Sequence, residues 1–275
     1  MEDKPAKLAL LDMYEGTPNL GMQNIRTIVR HFEPELTCSI FDVRSEEKVP
    51  DLSHDIYIFS GGPGNPLVGD ENWLAPFHDL VQKIWDHNRS GKGTRKYVFF
   101  ICHSFQMACH HFGVGSITKR RSKSFGTFPV YKTFDGEEEW LFNELDNPFW
   151  VADFREYQVV EPDFPRLAEL GGRLLCIEKE REHAGLERAM MAVRFSPEMI
   201  GTQFHPEADP VGMENYFSEK ERIEAIVEEF GIGKYESMVS DLKNPKKIER
   251  THQMVLPLFL HRSIEGVKRS ASEWA

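Results

Sequence analysis

The feature that most constrains this chain is a run of five apolar or aromatic residues, Tyr97, Val98, Phe99, Phe100 and Ile101, ending on Cys102. Such a run suits a central strand covered on both faces. Residues 104–112 then resume as a short helix, so Cys102 falls on a strand-to-helix corner. A cysteine there stands out of the strand and beside a helix N-terminus, and both features favour an exposed, reactive thiolate. Sharp elbows of this kind present nucleophiles at the C-terminal edge of α/β sheets. Taken alone, a cysteine at the end of an apolar run is more often a small core residue, because free cysteine is among the most buried residue types.

The flanking pattern predicts the architecture around that strand. Residues 7–12, 36–43 and 55–59 read as strands. Residues 22–32 carry helical spacing at Ile25, Ile28, Val29 and Phe32, and residues 73–85 carry an apolar stripe of Leu74, Phe77, Leu80, Val81, Ile84 and Trp85. The polar stretch 88–96 ends that helix. Strands alternating with helices predict a parallel, doubly wound sheet. After Phe112 the pattern changes to short strands at 125–133, 149–154, 174–178, 190–195 and 199–204. Turn signals such as Asp135-Gly136 and Gly171-Gly172 separate them, which extends the sheet in mixed or antiparallel fashion. Helices follow at 219–230, 234–242 and 248–263.

At 275 residues one large α/β domain with additions is the first expectation. A formal net charge of -11 argues against nucleic acid as the main partner. No apolar run reaches the ~20 residues that span a bilayer, and the first residues contain no apolar signal segment. The four cysteines, Cys38, Cys102, Cys109 and Cys176, have no disulfide-framework spacing. Reduced thiols and a cytoplasmic location are the expectation.

Two further stretches bear on Cys102. One is Phe59-Ser60-Gly61-Gly62-Pro63-Gly64-Asn65-Pro66, a glycine-rich strand exit. The other is Gly201-Thr202-Gln203-Phe204-His205-Pro206-Glu207. Hydrolysing an unactivated amide needs a nucleophile, a base that later protonates the departing amine, and stabilisation of the oxyanion. Cys102 is the candidate nucleophile and His205 the candidate base. Glu207 would orient the imidazole and favour its charged form, since Pro206 breaks regular pairing and lets the two side chains lie together. A solvated strand-end turn would account for His205 and Glu207 in isolation. A P-loop is a weak reading of the glycine stretch, because no Lys-Ser/Thr follows it.

In this order, the three stretches resemble the class I, triad-type glutamine amidotransferases, over about residues 7–210. The resemblance implies a flavodoxin-like three-layer α/β/α core with a mixed, mainly parallel sheet, plus C-terminal helices. It places an amidotransferase-like domain at 1–211 and a helical extension at 212–275. It implies an oxyanion hole from the backbone N–H groups of Gly62 and His103. Gln106, four residues after the nucleophile, should face the α-amino and carboxyl end of a bound glutamine. Gly64, Glu156 and Tyr157 would line the same pocket. The substrate implied is glutamine or another γ-glutamyl compound, with no cofactor and no metal.

The chain departs from the family elbow, usually Gly-x-Cys-x-Gly, at both glycines: Phe100 and Ser104 stand there instead. This alters how tightly the turn can close. Three functions follow. The first is a glutaminase supplying ammonia to a partner protein. The second is a stand-alone γ-glutamyl peptide or conjugate hydrolase. The third is a non-catalytic binding protein on the same fold. Cys102 and His103 with Cys109, His110 and His111 fit no common zinc spacing. Lys119, Arg120, Arg121 and Lys123 read as a solvated surface, or else as a docking site for an acidic partner or substrate. The C-terminal helices read as a cap on the domain, or as an oligomer contact or a lid.

Overall fold

The computed structural model describes residues 4–67, 72–180 and 187–273, with side chains to residue 270. In chain order the elements are β1 (Ala6–Asp12), α1 (Leu20–Arg30), β2 (Leu36–Asp42), β3 (Ile56–Phe59), α2 (Leu74–Ser90), β4 (Tyr97–Ile101) and α3 (His103–Phe112). Then come β5 (Ser116–Lys132), α4 (Phe134–Glu137), β6 (Phe149–Val160), α5 (Phe164–Leu170), β7 (Arg173–Glu178), β8 (Met190–Ser196) and β9 (Met199–Thr202). Helices α6 (Pro210–Phe217), α7 (Lys220–Phe230), α8 (Ile232–Leu242) and α9 (Ile248–Glu273) complete the chain.

One mixed sheet runs β2-β1-β3-β4-β9-β8-β7-β5-β6. The pairings from β2 to β9 are parallel, and those from β9 onward are antiparallel. Strand alternation builds the layers, since successive side chains point to opposite faces. Leu8, Leu10, Ile56, Ile58, Phe99 and Ile101 face α1 and α9. Ala9, Leu11, Tyr57, Phe59, Val98 and Phe100 face α2 and α3. The expected three-layer α/β/α core is therefore present. A third cluster, with Ala152, Met213, Phe217, Ile226, Met238 and Ile248, sits under α6 to α9. No helix among the described residues is long and apolar enough to cross a membrane.

Several elements differ from the sequence expectation for identifiable reasons. Helix α2 runs on to Ser90 because buried Asn88 clamps Lys96, accepting from its N–H at 2.8 Å and donating to its carbonyl at 2.7 Å. Gly91, at φ 66°, then ends the helix. Asp135-Gly136 is a short helix rather than a plain turn, because the Thr133 hydroxyl accepts from the Gly136 N–H at 3.1 Å. Strand β5 begins at Ser116 and so absorbs the basic run. Within it Arg120 turns inward, 3.0 Å from Glu178 with a side chain only 7% exposed. The uniform solvated face expected there is thus interrupted, because a strand sends alternate residues to opposite sides. Helix α9 extends ten residues beyond 263.

The elbow's missing glycine has a counterpart across the sheet. Phe100 pairs with Gly201 on β9, and a Cβ on Gly201 would lie 2.8 Å from Phe105 Cδ2 and 3.1 Å from Phe100 Cβ. Gly201→Ala is accordingly expected to lower unfolding stability by about 1–3 kcal/mol through overpacking, measured by denaturant titration. A neutral result would show that the two rings yield freely.

Candidate active site

Cys102 sits at φ 50°, ψ −100°, between β4 and α3. Positive φ at a residue with a Cβ is costly, so the surrounding bonds must impose it. Cys102 N–H donates to Thr202 O at 2.8 Å, and Gln106 N–H donates to Cys102 O at 3.0 Å. Ser104, at the second usual glycine position, is fully buried. Its Oγ accepts from the Ile101 N–H at 2.9 Å and lies 2.9 Å from Phe59 O and 3.0 Å from Ile101 O. The hydroxyl therefore ties the turn to β3 and holds it closed. Cys102 itself is buried, at 5% exposure, not exposed as its corner position implied. The glycine loop after β3 meets both the cysteine and the segment after β9: a Cβ on Gly61 would lie 2.9 Å from His205 Cε1 and 3.6 Å from Cys102 Cβ.

The structure brings the three separated motifs together. His205 Nδ1 lies 2.8 Å from Glu207 Oε1, and the imidazole stands on the Cys102 side of Gly61, close enough for the sulfur's charge to act on it. Burial alone pulls the histidine pKa down. The charges of Glu207 and Cys102 and the hydrogen bond to Glu207 outweigh that and raise it well above the usual histidine range. Gln203, fully buried, donates from Nε2 toward Cys102 Sγ at 3.7 Å. The Tyr14 phenol stands beside the same group. Desolvation and then the Glu207 and Cys102 charges push its pKa well up, so it stays protonated.

His103, next to the sulfur, heads α3, where the first N–H groups of a helix have no intrahelical partner. Its side chain turns away to Arg44, whose Nη2 lies 2.7 Å from His103 Nε2. Arginine only donates, so Nε2 accepts and the proton rests on Nδ1. Burial and the Arg44 charge lower its pKa to about 3, leaving it neutral. Arg44 is fixed by Glu15 at 2.9 Å and by the Trp73 ring at 4.6 Å.

Two cavities meet at the sulfur. The larger, about 500 Å³, takes in Gly62, Gly64, Gln106, Glu156 and Tyr157 together with Cys102 and His103. Gln106 Nε2 donates to Tyr157 O at 2.9 Å and contacts Gln203 Oε1 at 3.1 Å, linking the elbow helix to β6. Helix α7 supplies Ile226, Glu229 and Phe230 to the wall. Lys123 bridges Glu156 at 3.3 Å and Glu229 at 3.0 Å across the mouth. The second cavity, about 290 Å³, contains His205, Glu207 and Tyr14 and is walled by α6. Among the described residues no group of three or more His, Cys, Asp or Glu is placed to hold a metal ion.

Every site residue named from the sequence lines one cavity or the other. Tyr14, Arg44 and Gln203 were not foreseen. Gln203 was within reach, since it lies two residues before His205 and so on the same side of an extended segment. Tyr14 follows β1, at the C-terminal edge where α/β sheets gather ligand-binding loops.

The sequence model described as glutamine amidotransferase class-I matches residues 17–225. Among solved structures, the fold is shared with a glutamine amidotransferase from Thermotoga maritima, at 16% identity and a TM-score of 0.70 over 94% of this chain and 98% of that one. A glutamine amidotransferase from Methylobacillus flagellatus matches at 15% identity and a TM-score of 0.65, covering 96% and 95%. The glutaminase domain of Trypanosoma brucei CTPS, solved with acivicin bound, matches at 14% and 0.53, covering 74% and 86%. No curated protein sequence matches. With the family model covering most of its length, the chain belongs to the class-I glutamine amidotransferases.

Proposed function

We propose that the protein is a glutaminase-type amide hydrolase working through a γ-glutamyl thioester on Cys102. The observation that carries this reading is the single imidazole of His205, held by Glu207 at 2.8 Å and brought with Cys102 against the same glycine, Gly61. In this scheme the sulfur attacks the γ-carbonyl, whose oxygen turns toward the backbone N–H groups of Gly62 and His103. His205 gives its proton to the departing nitrogen, and the C–N bond breaks. Water then adds to the thioester while His205 takes up its proton, and glutamate leaves the regenerated sulfur. Gly64, Gln106, Glu156 and Tyr157 shape the pocket for the glutamyl half.

The division into a catalytic unit at 1–211 and an addition at 212–275 belongs to the same proposal, with α6 and α7 closing both cavities. So do a cytoplasmic location and an ammonia-accepting partner protein. The deciding experiment pairs ammonia release from glutamine with labelling by a glutamine-mimicking electrophile, followed by peptide mapping. Release together with a label on Cys102, both lost in His205→Ala, is the expected result. No release and no label would sink the proposal and favour a binding role.

A further inference from the structure

Ammonia requires little room. Its bulk is about one water's share of liquid volume, ~30 Å³. The cavity on the His205 side holds about 290 Å³, far more than glutamine's leaving group would fill. Its walls are mainly apolar: Leu20, Phe154, Ala208, Met213, Tyr216 and Phe217. Among the described residues no lysine or arginine lines it. Glu207, a carboxylate on this wall, is already paired with His205 Nδ1 at 2.8 Å.

The placement of His205 decides what this space is for. Glutamyl-side candidates Gly64, Gln106, Glu156 and Tyr157 line the larger cavity, whereas His205 and Glu207 line only the second. Cys102, Gly62, Pro63 and Phe154 border both. A carbonyl carbon at the sulfur therefore has its glutamyl arm in one cavity and its nitrogen toward the other, because the nitrogen must reach the proton on His205. Whatever that nitrogen carries extends into the second cavity.

We infer that the second cavity is a binding site for the amine half of the substrate, and that the substrate is a γ-glutamyl amide of an apolar alkyl or aryl amine. The inference rests on the hydrolase reading above. Apolar walls favour a hydrocarbon substituent. The Glu207 carboxylate, with no lysine or arginine among the described lining residues, opposes a second carboxylate, which excludes γ-glutamyl amino acids as the preferred class. The reaction balances as substrate amide plus water giving glutamate and the free amine. The departing nitrogen takes the proton from His205, and water supplies the oxygen of the new carboxylate.

The test compares kcat/KM for γ-glutamyl benzylamide, glutamine and γ-glutamylphenylalanine. Benzylamide should exceed each of the others by about 10-fold or more, the discrimination a filled apolar pocket gives. Met213→Trp, which fills the cavity, should lower the benzylamide-to-glutamine ratio by about 10-fold. Ala208→Leu serves the same purpose if the tryptophan variant does not fold. Glutamine cleaved as well as the benzylamide would mark the space as an ammonia outlet and overturn the inference alone. So would a ratio unmoved in a folded variant, or γ-glutamylphenylalanine matching the benzylamide. Failure to cleave any of the three, with Cys102 unlabelled, would overturn the hydrolase reading along with it.

Discussion

Cys102→Ser is expected to lower amide hydrolysis by roughly 10,000-fold or more, the scale seen when a covalent nucleophile is removed. A serine hydroxyl fits the same space and is far less nucleophilic than a cysteine sulfur at neutral pH. Because serine is close to cysteine in volume and keeps the same backbone bonds, the variant should unfold within about 1 kcal/mol of the parent. The check is single-turnover kinetics with mass detection of the acyl-enzyme: the thioester mass should vanish while substrate still binds. Cys102→Gly adds a second readout. Glycine adopts φ 50°, ψ −100° without the Cβ penalty that cysteine bears there. That variant should be equally inactive yet no easier to unfold than the serine variant. A loss of activity below 10-fold in either would remove Cys102 as nucleophile.

Glu207→Gln is expected to reduce kcat by roughly 100- to 10,000-fold, the range between a general acid–base contribution and loss of a charge-orienting carboxylate. The glutamine oxygen can still accept from His205 Nδ1, so geometry survives while charge is lost. The sign of the pH effect follows. In the parent, His205 has its pKa raised by Glu207 and Cys102 against the opposing pull of burial. The protonated ring is present below that raised pKa and disappears as pH climbs through it. Without the Glu207 charge, burial dominates, the pKa falls, and the ring is already neutral at a lower pH. The alkaline limb of the kcat/KM profile should therefore move to lower pH in the variant. A profile that shifts upward, or does not shift, would contradict the assigned role.

How much of this was legible in the sequence varies with the distance over which each feature is decided. The β4 strand and its corner were legible because five apolar residues followed by helical spacing are a local pattern. The convergence of Cys102, the glycine loop and His205 was legible through the family resemblance. Closure of the elbow was not. It depends on Ser104 reaching Phe59 O, 45 residues away, and on Gly201 making room for Phe100 across a strand pairing. Arg120 reads as one more surface cation until its partner Glu178, 58 residues on, is in place. The long α9 gave no local stop signal near 263, and its apolar face is set by contact with β1, β6 and α1. The roles of α6 and α7 as cavity walls likewise depend on where the chain folds back, which periodicity does not encode.

The close approach of Phe100 to Gly201 also bears on how such a chain can diverge. Phe100 and Gly201 occupy one van der Waals space, so neither position drifts independently. Shrinking Phe100 alone would not free position 201, because a Cβ there would still lie 2.8 Å from Phe105 Cδ2 and 3.2 Å from Phe100 O. Positions 100, 105 and 201 should therefore change as a coupled set rather than one at a time.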